Sequence, residues 1–95
     1  MNKTIYRLSP KNLEANDWRG SIYHGVVLAR ANNEDEARKL ASSAFEKWVE
    51  VERTESTPLP PWDQAGLALC EIVNNSQYFT SGPSEILEPA NYRKL

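Results

Sequence analysis

The sequence predicts an α+β fold of two layers, a small antiparallel sheet crossed by one long amphipathic helix, in the order β-β-α-β-β. Three observations carry this expectation. Ile22 to Ala31 is rich in β-branched and aromatic residues and holds one formal charge, Arg30, as a buried strand would. Asn33 then offers a side-chain oxygen to the unpaired N–H groups of a first helical turn, with Glu36 three residues on to complete a capping box. Finally, Ala37, Leu40, Ala41, Ala44, Phe45 and Trp48 recur at helical spacing and form one apolar stripe.

Thr4–Leu8 alternates and reads as the first strand, stopped by Ser9-Pro10. Lys11 to Ser21 is long for a hairpin loop and is expected to pack on itself through Leu13 and Trp18. The second strand runs from Ile22 to Ala31 and the helix from Glu34 to Val51, with Glu34 and Asp35 complementing the positive end of the helix dipole. Arg53 to Gln64 is a loop. Its prolines Pro58, Pro60 and Pro61 fix φ and remove backbone donors, so polyproline-II geometry is expected, with Trp62 as anchor. Gly66 to Val73 fits a strand or a helix capped by Asp63. Gly66 and the β-branched pair Ile72-Val73 favour the strand. Asn74 to Pro83 is turn-like, Glu85–Glu88 is an edge-strand candidate ended by Pro89, and the tail from Ala90 is expected to be loose.

Ninety-five residues suffice for one domain, 1–95, with one core and no large enclosed active site. The chain is 40% hydrophobic and 25% charged, a globular composition. A net charge of −2 disfavours a general nucleic-acid binder, which needs a surplus of Lys and Arg to displace counterions from phosphates. Cys70 stands alone, so neither an intramolecular disulfide nor a cysteine-built metal site can form. The first residues hold no apolar run of signal-peptide length, and no stretch approaches the ~20 apolar residues of a membrane span. A cytoplasmic location without membrane attachment is the expectation.

Catalysis needs a base, a nucleophile or acid, and a group to orient them. His24 is the sole histidine and falls within the second strand, where a structural role is the simpler reading. Cys70 lies in an apolar run beside Glu71, which disfavours its thiolate. No ligand spacing suggests a metal, and Gly20, Gly25, Gly66 and Gly82 stand apart rather than forming a phosphate cradle. No catalytic residue, cofactor or metal is therefore expected. The interaction candidates are Trp18, Arg19, Tyr23, His24, Arg30 and Trp62. Trp and Arg most often carry interface energy, although for Trp18 and Trp62 a core position is the simpler alternative.

The elements Trp18-Arg19-x-Ser21, Val27 to Ala31, Glu34-x-Glu36-Ala37-Arg38-x-x-Ala41, Pro61-Trp62 and Cys70-Glu71 together resemble a family of small bacterial proteins of uncharacterised activity. The resemblance covers most of the chain. It implies a single cytoplasmic domain of bacterial or phage origin and transfers no site residue.

The functional expectation is a small non-enzymatic interaction or regulatory module. The second strand is apolar on both faces, and one helix covers one face. Ile22, Val26 and Leu28 oppose Tyr23, Val27, Ala29 and Ala31. The uncovered face is closed by the chain's own loops, by a protein partner or by a homodimer. The alternative is a nucleic-acid-binding accessory protein that gathers Arg7, Arg19 and Arg30 with Tyr6 and Tyr23 on the sheet.

Overall fold

Alternation decides the first element. Tyr6 and Leu8 point to one side of β1 (Thr4–Pro10) and are buried, while Arg7 between them is exposed. The computed structural model describes residues 2–51 and 57–92. After β1 come a 3-10 turn (Asn16–Gly20), β2 (Val27–Ala31), α1 (Glu34–Phe45), a second 3-10 turn (Pro61–Asp63), β3 (Ala68–Ile72) and β4 (Glu85–Glu88). Every strand pair is antiparallel and the sheet order is β3-β1-β2-β4. The α+β class and the β-β-α-β-β order are those the sequence predicts, and Ala68–Ile72 is strand rather than helix.

One face of the sheet meets the helix. Tyr6 and Leu8, Val27, Ala29 and Ala31, Ala68 and Ile86 pack against Ala37, Ala41 and Phe45. Small residues on both sides of the seam allow the helix axis to come close to the sheet. The helix start follows the expected cap with one change of partner. Asn33 Oδ1 accepts from the Glu36 N–H at 2.8 Å, but Glu36 reaches one residue further back, to the Asn32 N–H at 2.9 Å.

The helix is shorter than the stripe suggested. It ends at Phe45 rather than Val51, and Trp48 lies beyond it, 83% exposed. Glu46 is extended and pairs antiparallel with Ser21. The Ile22 N–H donates to Phe45 O and the Lys47 N–H to Gly20 O, so a long-range bridge replaces the next helical turn. Ala37, Ala41 and Phe45 of the stripe are buried, and Leu40 and Ala44 are half-buried.

The second strand is also shorter than expected. Residues 22–26 form an irregular approach, and β2 begins at Val27. The Ser21 hydroxyl stops the pairing early by bonding to the backbone of Tyr23, donating to its carbonyl at 2.7 Å and accepting from its N–H at 3.3 Å. Ile22, Val26 and His24 are exposed and do not form a strand face. Leu13 is likewise exposed, so Trp18 and not Leu13 is the large apolar anchor of the first connection.

The outer face of the sheet carries Ile5 opposite Arg30 and Arg7 opposite Leu28. The 73–84 segment crosses it, rather than the Trp18 connection or the proline loop. The Arg30 guanidinium donates to Phe79 O at 2.9 Å and to Pro83 O at 3.2 Å, the Lys3 N–H donates to Thr80 O, and Val73 donates to Ile5 O. Gly82 adopts φ +124°, and a Cβ there would stand 2.8 Å from Arg30 Nη1, so glycine is required on both grounds. The tail is not loose as far as Tyr92, whose ring meets Phe45 edge-on at 6.1 Å. Residues 53–56 of the expected loop and the last three residues of the tail, Arg93 to Leu95, lie outside the described residues.

Candidate functional site

The six candidates from the sequence separate into two groups. Trp18, Trp62 and Arg30 are buried, the two indoles at 1% exposure each, so their task is internal. Arg19 and His24 are exposed and Tyr23 is half-buried.

Trp18 and Trp62 meet edge-to-face at 5.0 Å, and Trp62 lies 6.0 Å from Phe45. Both indole N–H groups are used. Trp18 Nε1 donates to Lys11 O at 2.9 Å and Trp62 Nε1 to Ser21 Oγ at 3.0 Å. His24 stands against the Trp18 ring at 5.5 Å, with Nε2 2.8 Å from Trp18 O and 2.9 Å from Ser21 O. Both partners are acceptors, so Nε2 carries the proton and closes the end of the first 3-10 turn. Tyr23 packs on Phe45 at 4.9 Å. Arg19 Nη1 donates to Asn16 Oδ1 at 3.0 Å.

Arg7 and Arg30 lie on the outer face of the sheet, whereas Tyr6 and Tyr23 pack on the helix side. The residues of an aromatic stacking platform are thus not brought together. Cys70 is half-buried, with its thiol pushed up to about 11, first by burial and then by the Glu34 carboxylate. Among the described residues no three His, Cys, Asp or Glu come together in a way that could hold a metal ion, and no helix is long and apolar enough to cross a membrane.

The geometry draws attention to a different place. A groove of about 240 Å³ lies between the extended chain after α1 and the proline loop, with Trp62 and Ser42 among its lining residues and Trp48, Leu59 and Pro60 at its exposed rim. Trp48 and Leu59, 83% and 61% exposed, are large apolar side chains facing water beside a concave apolar surface. The Ser42 hydroxyl is buried without a hydrogen-bond partner.

The proline wall of this groove is held in place. Asp17 Oδ1 accepts from the Leu59 N–H at 3.0 Å, and Asp17 Oδ2 accepts from Gln64 Nε2 at 2.9 Å. Gln64 Nε2 also donates to Pro60 O at 3.3 Å. Gly20 lies beside Pro58, where an added Cβ would make an ordinary van der Waals contact at 3.5 Å. From beneath, the Arg38 guanidinium donates to Trp62 O at 3.1 Å and Ala68 O at 2.9 Å, and it pairs with Glu34 at 2.9 Å.

Sequence reasoning missed Trp48, Leu59 and Arg38. Trp48 fits the helical stripe, and that match masked a second signal: Val49 and Val51 are β-branched, which favours extended chain over helix. Arg38 reads as a surface residue in any hydropathy pattern. Its one legible clue is Glu34 at i−4. Comparisons with protein-family models, with curated proteins and with solved structures found no match to this chain.

Proposed function

We propose that this chain is a protein-interaction module whose contact surface is the groove between Trp48 and Leu59. The observation that carries this reading is Trp48, an indole 83% exposed at the rim of an apolar groove that Trp62 also lines. Fully burying a large apolar side chain is worth roughly 1.5–3 kcal/mol, so a side chain left in water beside a matching concavity favours association. Tryptophan is also the residue type most enriched where binding energy concentrates. The wall opposite is ordered in advance by Asp17 and Gln64, which reduces the ordering cost that a partner would meet.

This reading moves the interface away from the sheet. The 73–84 segment occupies part of the outer face, and Arg30 is committed to holding that segment. Leu69 and Phe79 are the large apolar residues left exposed there.

Photocrosslinking tests the proposal. A benzophenone side chain introduced at Leu59 is expected to give discrete protein adducts in the host cell, and the same group at Arg7 on the outer sheet face to give none. Adducts from position 7 with none from position 59 would return the interface to the sheet. Absence of adducts from both would remove the interaction reading.

A further inference from the structure

We infer that the occupant of the groove is a second copy of this chain, in a two-fold arrangement that seats each Trp48 against the other copy's Leu59–Pro60 ridge. The inference rests on reading the groove as a protein-binding surface.

Each copy carries both halves of the contact. The indole is one half. The other is a proline ridge whose residues Leu59 and Pro60 face water, with Pro60 at φ −55° and ψ 112°. An exposed proline such as Pro60 presents a flat apolar ring face, a surface that aromatic side chains dock. Within one copy the two halves stay largely solvent-exposed although both border the same groove. A closed two-fold pair requires a surface complementary to itself, and an exposed indole next to an exposed proline ridge meets that requirement. The rim also carries Lys47 directly after Glu46, so a second copy does not meet a rim of uniform charge.

Area sets the strength. One aromatic side chain buries on the order of 150–250 Å². Two indoles and the walls they meet therefore bury on the order of 600–1,000 Å², below the ~1,200–2,000 Å² of a stable standard interface. The pair is accordingly a weak dimer that forms in the micromolar range and dissociates on dilution.

Analytical ultracentrifugation of the full chain, over roughly 5 to 500 μM as an interface of this size demands, tests the inference. The expected mass climbs from the 10.8 kDa monomer towards twice that value. Because Trp18 and Trp62 are each 1% exposed, a concentration-dependent blue shift of indole emission reports Trp48. Trp48→Ala and Leu59→Asp are each expected to weaken association at least about tenfold. Leu69→Ala, outside the groove, is expected to leave it unchanged. Urea midpoints matching the parent chain show that the variants are folded. A monomer mass throughout, or a dimer that survives Trp48→Ala, overturns the inference. A monomer mass together with crosslinks from position 59 to a different protein overturns the second copy while leaving the interaction module standing.

Discussion

The indole of Trp62 donates to the hydroxyl of Ser21 at 3.0 Å inside the protein. That hydroxyl also donates to Tyr23 O at 2.7 Å and accepts from Tyr23 N at 3.3 Å, so its proton and both lone pairs are engaged. It joins the proline loop to the irregular chain ahead of β2. Ser21→Ala leaves a buried indole N–H without a partner and is expected to cost about 1–3 kcal/mol in urea denaturation. In a Trp62→Phe background, where no N–H is stranded, the same change should cost distinctly less. Equal costs in the two backgrounds would show that the bond does not couple the segments.

Packing depth along the helix ranks three substitutions. Phe45 is fully buried and touches Tyr23, Trp62 and Tyr92, so Phe45→Ala is expected to cost about 3–5 kcal/mol. Leu40 is half-buried, and Leu40→Ala should cost roughly half of what a fully buried leucine loses, about 1–2 kcal/mol. Trp48→Ala should change monomer stability by no more than about 0.5 kcal/mol. Thermal melts at low protein concentration give all three values, and a large loss for Trp48→Ala would place that indole in the core.

Arg38 offers a test of geometry against charge. Its fork satisfies two buried carbonyls, Trp62 O and Ala68 O, and so ties the proline loop to the start of β3. Arg38→Met fills the volume but strands both acceptors, and a loss of about 1–3 kcal/mol is expected. Arg38→Lys keeps the charge but lacks the planar fork, and it should recover less than half of that loss. Full recovery by lysine would mean that charge alone matters.

The Cys70 thiol, raised from 9.0 to about 11, sets an alkaline dependence. The folded chain holds the proton where the unfolded chain has released it. Its contribution is complete below the unfolded value and is lost as pH rises through the window from 9.0 to about 11. Cys70→Ala should therefore flatten the fall in stability over that window. Thiol reagents should label the native protein slowly at pH 8 relative to the denatured protein, and equal labelling rates would contradict the raised value.

Glu36 sets the acid side. The Ser84 hydroxyl, and after it the Asn32 N–H, hold its carboxyl below the ordinary glutamate value of 4.5. The stabilisation is present above that value and is lost as pH falls through the lower, folded-state one. Glu36→Gln is expected to unfold more readily than the parent at pH 7, with the two melting curves converging in strong acid. A gap that persists at the lowest pH would assign the effect to something other than ionisation.

The parts of the fold written in local pattern were legible in the sequence, and the parts set by distant contacts were not. Asn33 and Glu36 announce a helix start because capping is a matter of a few neighbouring residues. The helix end was misread because it is imposed by Gly20 and Ile22, which pair with the chain around Glu46. Trp48 consequently changed from a core residue to a surface one. The second strand was overextended for a related reason: Tyr23 and His24 have the composition of a strand but are bound by Ser21 Oγ and the carbonyl oxygens of Trp18 and Ser21. At the candidate site Trp62 was legible as an anchor, whereas a groove formed by residues 46–49 and 57–62 requires the tertiary turn itself.

The strand order has a bearing on how the molecule is made. β1 and β2 occupy the centre of the sheet, and the later β3 and β4 flank them on opposite sides. A ribosome therefore releases the interior before the margins. The emerging β1–β2 ribbon and its helix can come together first, through the contacts with the shortest separation along the chain. Until β3 arrives, the Ala68 carbonyl that Arg38 will bind is missing, and until the 73–84 segment arrives Arg30 lacks the carbonyls of Phe79 and Pro83. Two guanidinium groups on the early half thus wait, hydrated, for acceptors on the late half, and each margin is latched from within as it docks.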